Sequence, residues 1–334
     1  MTDPAFYQLY AFVMIGAALA VFAVLDGFDL GVGMMLPFFR RPQDKRVMVQ
    51  SIWPFWDGNE LWALIGGGGL FALFPDVFAT LLSLLYPIVI LLLVALLFRP
   101  VTFELWYHDE RGRRVWEWSF FATSVVITFV FGAVYGLTIS GLPFTAEDKY
   151  LGSLLAVLRP MPILTALLFV AAFLMHGSAY LVTRSQNDLQ ASGRRVFAIA
   201  WPVFVTLLVV WFLAGMATRD AWGRPLPVAC GAVSLLLAIV LGQLARRGGS
   251  RRILVLSGLT LASLFPVLGA LQYPVVLVNS AMPAASLTLA DASPVYTLKF
   301  VAVLGTVVLS VVAVYTFFVY RIFRGKVLDD GHGY

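Results

Sequence analysis

The sequence predicts an all-α polytopic membrane protein of nine transmembrane helices, arranged as two four-helix bundles plus one terminal helix. Three observations carry this expectation. The 334 residues are 60% hydrophobic and only 12% charged, about half the charged share of a soluble domain. Apolar stretches of the ~20 residues needed to cross a bilayer recur along the whole chain. Basic residues crowd the ends of alternate stretches, as they do when one side faces the cytoplasm.

The expected spans are about 8–38, 50–74, 76–98, 116–140, 160–184, 196–218, 226–245, 253–274 and 296–322. The second and third join tightly at Phe74-Pro75-Asp76, and no connection is long enough for a separate soluble domain. Residues 1–334 therefore read as one transmembrane domain. Arg113-Arg114-Val115-Trp116 and Arg194-Arg195-Val196-Phe197 each follow a basic loop. They hint at repeat units over about 8–140 and 160–274, with 296–322 as the terminal helix.

Of the 23 basic residues, 18 follow the first, third, fifth, seventh and ninth spans. The alternate side holds Lys149, Arg159, Arg219 and Arg224, with Lys299 just inside the last span. By the positive-inside rule this places the C-terminus in the cytoplasm and the N-terminus outside. The N-terminus has no basic region ahead of its first apolar run, so a cleaved signal peptide is not expected. The net charge of +5 follows topology and carries no nucleic-acid signal. Cys230 is the single cysteine, which excludes an internal disulfide. The chain has no P-loop, dinucleotide-binding glycine fingerprint or Cys/His metal spacing.

Two polar, glycine-marked patches interrupt the apolar runs. They are Leu25-Asp26-Gly27-Phe28-Asp29-Leu30-Gly31-Val32-Gly33 and Trp56-Asp57-Gly58-Asn59-Glu60-Leu61-Trp62. A charge at mid-membrane costs roughly 2.5–3.5 kcal/mol on the most lenient scale, so four carboxylates are expected to face one another, a partner subunit or a water-filled path. Asp29 and Asp57 each lie eleven residues from flanking basic residues, a depth of ~16 Å along a helix. Asp26 with Asp29, and Asp57 with Glu60, are three apart and share helix faces. Gly27, Gly31 and Gly33 suit close helix packing, and so does the run Gly66, Gly67, Gly68 and Gly69.

With Gly68-Gly69-Leu70-Phe71-Ala72, Phe98-Arg99-Pro100-Val101-Thr102-Phe103-Glu104 and Ser286-Leu287-Thr288-Leu289-Ala290-Asp291-Ala292-Ser293, these patches resemble subunit II of the cytochrome bd-type quinol oxidases, cyanide-insensitive members included. The resemblance spans the chain, though about 140–270 matches only in pattern. It implies a subunit that carries no heme and packs against subunit I, which holds hemes b and d and oxidises quinol. It also implies a bacterial cytoplasmic (inner) membrane location, with small single-span subunits and a bound quinone as further associates. The aspartate of the Trp-Asp-Gly-Asn string, here Asp57, is implied in a proton path from the cytoplasm.

Asp57 is thus expected to conduct protons and to be buried; the competing reading is a packing carboxylate bonded to Asn59 or a backbone amide. Glu60, Asp29 and Asp26 are its candidate assistants, each with a structural reading beside the relay one. Glu104 reads as a loop acid pairing with Arg99 or as the mouth of the path. Asp291 reads as a cap of the final span or as part of a surface that meets subunit I. His176 reads first as a core histidine, then as a lone heme ligand or relay member. His108 and His332 lie in a loop and in the tail, which removes bis-histidine heme ligation. Two other classes stand as alternatives: a secondary transporter with a cation or proton site among the carboxylates, and a purely structural assembly subunit.

Overall fold

The computed structural model describes residues 3–145, 154–248 and 250–327. Lys149 and His332 lie outside the described residues. Eleven helices account for most of the described chain: α1 (Pro4–Met35), α2 (Pro42–Ile52), α3 (Trp56–Leu73), α4 (Pro75–Leu84), α5 (Tyr86–His108), α6 (Arg113–Ser140), α7 (Pro160–Arg184), α8 (Asn187–Thr218), α9 (Pro225–Arg247), α10 (Ser250–Gln272) and α11 (Val295–Ile322). Six of them, α1, α2, α4, α5, α7 and α9, carry proline in the first turn, where its missing N–H costs nothing. Gly141 and Gly248 close α6 and α9 at φ +83° and +82°, a backbone that side chains disfavour.

Among the described residues, eight helices are long and apolar enough to cross a membrane, and the bent pair α3–α4 brings the number to nine if it is one broken span instead of a re-entrant loop. The helical polytopic class is as expected; two boundaries are not. Phe74, extended ahead of Pro75, breaks the chain by 115° between α3 and α4, because proline disfavours helical backbone in the residue before it. The third span therefore starts at Tyr86 and continues through Pro100 to His108, instead of ending at 98. Gln50–Ile52 likewise belongs to α2, a short helix at the basic end.

α1 and α7 form the centre. α1 packs against α3, α6, α7, α10 and α11, and α7 against α6, α8 and α10. α7, α8, α9 and α10 close a ring of neighbours, while α11 lies on α1 and α3. At the α1–α7 crossing the backbones touch. A Cβ on Gly31 would stand 2.0 Å from the Phe173 carbonyl oxygen, and one on Gly177 would stand 2.7 Å from the Gly31 Cα. Gly27 meets the Phe173 ring and Gly33 meets Ser124 and Phe120. In the four-glycine run, Gly66 approaches Leu19 and Gly69 approaches Ile15, but a Cβ on Gly67 or Gly68 would meet nothing within 4 Å in this chain.

The end opposite the basic band is closed by polar stitching. Val275–Leu277 pairs antiparallel with Leu287–Thr288. Ser293 N and Oγ donate to the Leu73 and Ala72 carbonyls at 2.9 and 2.8 Å. Asp291 does not cap the final span: its Oδ2 accepts from Thr288 N at 2.7 Å and Thr288 Oγ1 at 2.9 Å. Arg224 donates to the Ala270, Leu271 and Tyr273 carbonyls at the C-terminus of α10, where cations are favoured. The two strings that hinted at duplication sit differently. Arg113 opens α6, whereas Arg194 lies about two turns inside α8.

Candidate functional site

Three spans converge on one buried guanidinium. Arg99 of α5 is fully buried, as are Asp26 and Asp29 of α1. Its Nη1 lies 2.8 Å from both carboxylate oxygens of Asp26 and 2.9 Å from Glu60 Oε1 of α3. Its Nη2 stands 3.9 Å from Asp29 Oδ2, too far for a direct hydrogen bond. Asn59 of α3 donates to Asp29 Oδ2 at 2.8 Å and to the Leu25 carbonyl at 3.0 Å. Tyr320 of α11 closes the group by donating to Asn59 Oδ1 at 3.0 Å.

One guanidinium faces three carboxylates, a formal charge of −2 when all are ionised. Among the described residues, Asp29 Oδ1 and Arg99 Nε and Nη2 are buried without a hydrogen-bond partner. Buried polar atoms left unpaired are costly, so this group retains unused capacity to accept and donate hydrogen bonds.

Helix geometry explains which residues of α3 point inward. Its buried residues are Asn59, Trp62, Gly66 and Leu73, a single stripe at near-heptad spacing. Asp57, two positions before Asn59, falls about 200° around the helix and is exposed. This corrects its expected burial. Glu60 lies at the stripe's edge, with 17% of its side chain exposed. Asp57 therefore stands on the chain's surface beside a cluster that it does not enter.

Arg99 is the residue that sequence reasoning misplaced. The expected third span ends at 98, which leaves Arg99 in the flanking basic band, whereas α5 continues through Pro100. The signal was present: after Pro100 the run Val101-Thr102-Phe103 continues apolar towards Trp106, as a helix interior would. Glu104 does not pair with Arg99; it contacts His108 at 3.1 Å on the surface, and His108 ends α5 instead of lying in a loop. Lys45 of α2 pairs with Glu117 of α6 at 2.5 Å near the basic end.

His176 is a bonded core histidine. Its Nδ1 lies 2.7 Å from Ser257 Oγ and its Nε2 2.9 Å from the Val24 carbonyl, so neither ring nitrogen is left to ligate iron. No group of three metal-ligating side chains occurs among the described residues.

The chain matches the family model described as cytochrome bd terminal oxidase subunit II over residues 7–323. It is 31% identical to the cytochrome bd-I ubiquinol oxidase subunit 2 of Escherichia coli K12, covering 97% of each chain. It is 30% identical to the cytochrome bd ubiquinol oxidase subunit 2 of Bacillus subtilis 168, covering 95% of each. Its fold superposes on a chain of the bd oxidase from Geobacillus thermodenitrificans with a TM-score of 0.74 at 14% identity, covering 95% of this chain and 98% of that one.

Proposed function

Because the chain belongs to the cytochrome bd terminal oxidase subunit II family, and so is a subunit of an oxidoreductase complex, we propose that it scaffolds the heme-bearing subunit I and supplies part of a cytoplasmic proton-uptake path. It is a multi-pass protein of the bacterial inner membrane. The basic asymmetry supports an N-terminus outside and a C-terminus in the cytoplasm. Hemes b and d and the site of quinol oxidation belong, on this reading, to subunit I. A quinone and small single-span subunits would be further associates.

One observation carries the proton reading: a single cation is surrounded by three carboxylates in a membrane-spanning region. Such a group is neutral only when it holds protons, and uptake or release changes its charge with little movement. Asp57, exposed one turn before Glu60, would receive the proton. Glu60 would pass it towards Asp26 and Asp29, with Arg99 staying protonated and holding Glu60 and Asp26 on one nitrogen. The 3.9 Å gap between Arg99 and Asp29 suits a bridging water. Glu104 and His108, paired on the surface, would at most supply the mouth. The comparisons give no support to a secondary transporter.

The test is Asp57→Asn and Glu60→Gln in the purified complex. The expected result is full heme content with quinol-driven oxygen uptake reduced by about a hundredfold, the low end of what a positioned proton-transfer group contributes. Near-normal turnover in both variants would leave a purely structural role.

A further inference from the structure

On the other side of α1 from the ionic cluster, a cavity of about 1000 Å³ opens between α1, α7, α10 and α11. Its walls away from the cations are aliphatic, formed by Ala20, Val21 and Val24 of α1 with Val255, Leu259 and Ala262 of α10. Its mouth, at the basic end, is lined by Arg184, Arg251, Arg324 and Lys326, and no carboxylate lines it among the described residues.

These cations are largely uncommitted. Arg251, Arg324 and Lys326 are exposed, and none forms an ion pair with a described residue. Arg184 is buried, yet its Nε has no hydrogen-bond partner among the described residues. The guanidinium lies over the Phe55 and Tyr180 rings at 5.6 and 5.9 Å and donates from Nη1 to the Gly325 carbonyl at 2.5 Å. Val327 N in turn donates to the Arg184 carbonyl at 2.8 Å. The segment after α11 is thereby folded back onto α7, holding Arg324 and Lys326 at the rim.

We propose that this cavity binds one anionic phospholipid, its phosphate at Arg251, Arg324 and Lys326 and its acyl chains along the aliphatic faces of α1 and α10. A free inorganic anion would use the rim but not the walls. A neutral isoprenoid would use the walls but leave the three rim cations Arg251, Arg324 and Lys326 without a counter-charge. Only an amphiphile with a negative head satisfies both, which is how basic pockets between transmembrane helices select anionic lipid. The cavity borders the Arg99 cluster, since Leu25 and Tyr320 line it and also bond Asn59, but no carboxylate of the proton-uptake reading lines it.

The experiment uses the assembled oxidase, delipidated in detergent and offered phosphatidylglycerol, phosphatidylcholine of equal chain length, or inorganic phosphate. Native mass spectrometry counts what each complex retains. The expected result is one additional phosphatidylglycerol over phosphatidylcholine. Retention should weaken about fivefold for each of Arg251→Gln and Lys326→Gln, equivalent to the ~1 kcal/mol that a basic side chain contributes beside anionic lipid. Ala262→Phe should block the same lipid by filling the apolar end. Should that variant fail to assemble, the two exposed-residue variants still decide. Equal retention of both lipids, unchanged retention in the Arg251→Gln/Lys326→Gln double variant, displacement by phosphate alone, or a co-purified quinone in its place would each overturn the proposal. Turnover of the charge variants separates the readings, since loss of the lipid with normal proton-coupled turnover leaves the Asp57 path untouched.

Discussion

The two ends of the α1–α7 seam solve the burial of polar groups in opposite ways. On the α3 and α5 side, α1 buries Asp26 and Asp29 against Arg99, and atoms of Asp29, Arg99 and Trp62 stay unpaired. On the α7–α10 side, away from Arg184 at the basic end, the buried groups are neutral and paired. His176 is held by Ser257 and Val24, Trp211 donates to Thr165 Oγ1 at 3.0 Å, and Ser234 donates to the Ser263 carbonyl at 3.0 Å. Between Pro160 and Gln272 the only described charged side chain under a tenth exposed is Arg184, at the basic end. Neutral hydrogen bonds suffice to hold helices together in a bilayer. Charges with surplus carboxylates are therefore not needed for cohesion, and their presence in one half alone points to function.

The largest expected break comes from Arg99→Gln. It leaves three carboxylates without a cation and should cost about 3–5 kcal/mol, seen as loss of assembled, heme-containing oxidase. Combining Arg99→Leu with Asp26→Leu should recover part of the assembly but not the turnover, because an apolar replacement removes the desolvation cost along with the charge.

Next is Gly31→Ala, which drives a methyl into the Phe173 carbonyl and should cost about 1–3 kcal/mol in thermal inactivation of the complex. Gly67→Ala, facing open space in this chain, is the control. It should be neutral or gain up to about 1 kcal/mol of helix propensity unless a partner helix lies against it.

His176→Phe sharpens the contrast on the satisfied side. It removes two neutral hydrogen bonds worth about 1 kcal/mol each, while the Ser257 hydroxyl can turn to the Leu254 carbonyl 2.9 Å away. Stability should fall slightly, and the pH profile of oxygen uptake should not move.

The smallest effect is expected at Asp109, in the turn between α5 and α6. Its carboxylate accepts from Trp116 Nε1 at 2.9 Å and Gly112 N at 2.8 Å, which together hold its pKa below the ordinary carboxylate range. A depressed folded-state pKa gives stabilisation that is present above the unfolded value of about 3.9 and is lost as the pH falls through the folded one. Exchange protection of the Gly112 amide should therefore decline on acidification, and Asp109→Asn should flatten that dependence.

Much of this was legible in the sequence because bilayers enforce simple rules. Length and hydropathy located the spans, and the aspartates of α1 are where their cost demanded, facing other helices. Pattern failed where a single backbone event intervened. Phe74-Pro75 reads as a tight connection and is a 115° bend, with the third span ten residues further along the chain, at Tyr86–His108 instead of 76–98. A span ending at 98 puts Arg99 in the basic flank, yet α5 runs on through Pro100, and the cation of the cluster lies inside that helix. Asp57 was grouped with Glu60 by three-residue spacing. Glu60 reaches the cluster, but its companion there is Asn59, an amide that no charge-based search selects. Tyr320 could not be found from local sequence, since it arrives from the last helix.

The meeting of Gly31 and Gly177 has a consequence for how such a chain can diverge. Most tight contacts can exchange bulk, one side growing as the other shrinks, so that substitutions drift in pairs. Here both partners already lack a side chain, and the nearest obstacle to Gly31 is a carbonyl oxygen of the main chain. No second change at the facing position can make room. The crossing of α1 and α7 is a point where sequence variation has no compensating move, and diversification must proceed around it, in the loops and on the lipid-facing sides of the outer helices.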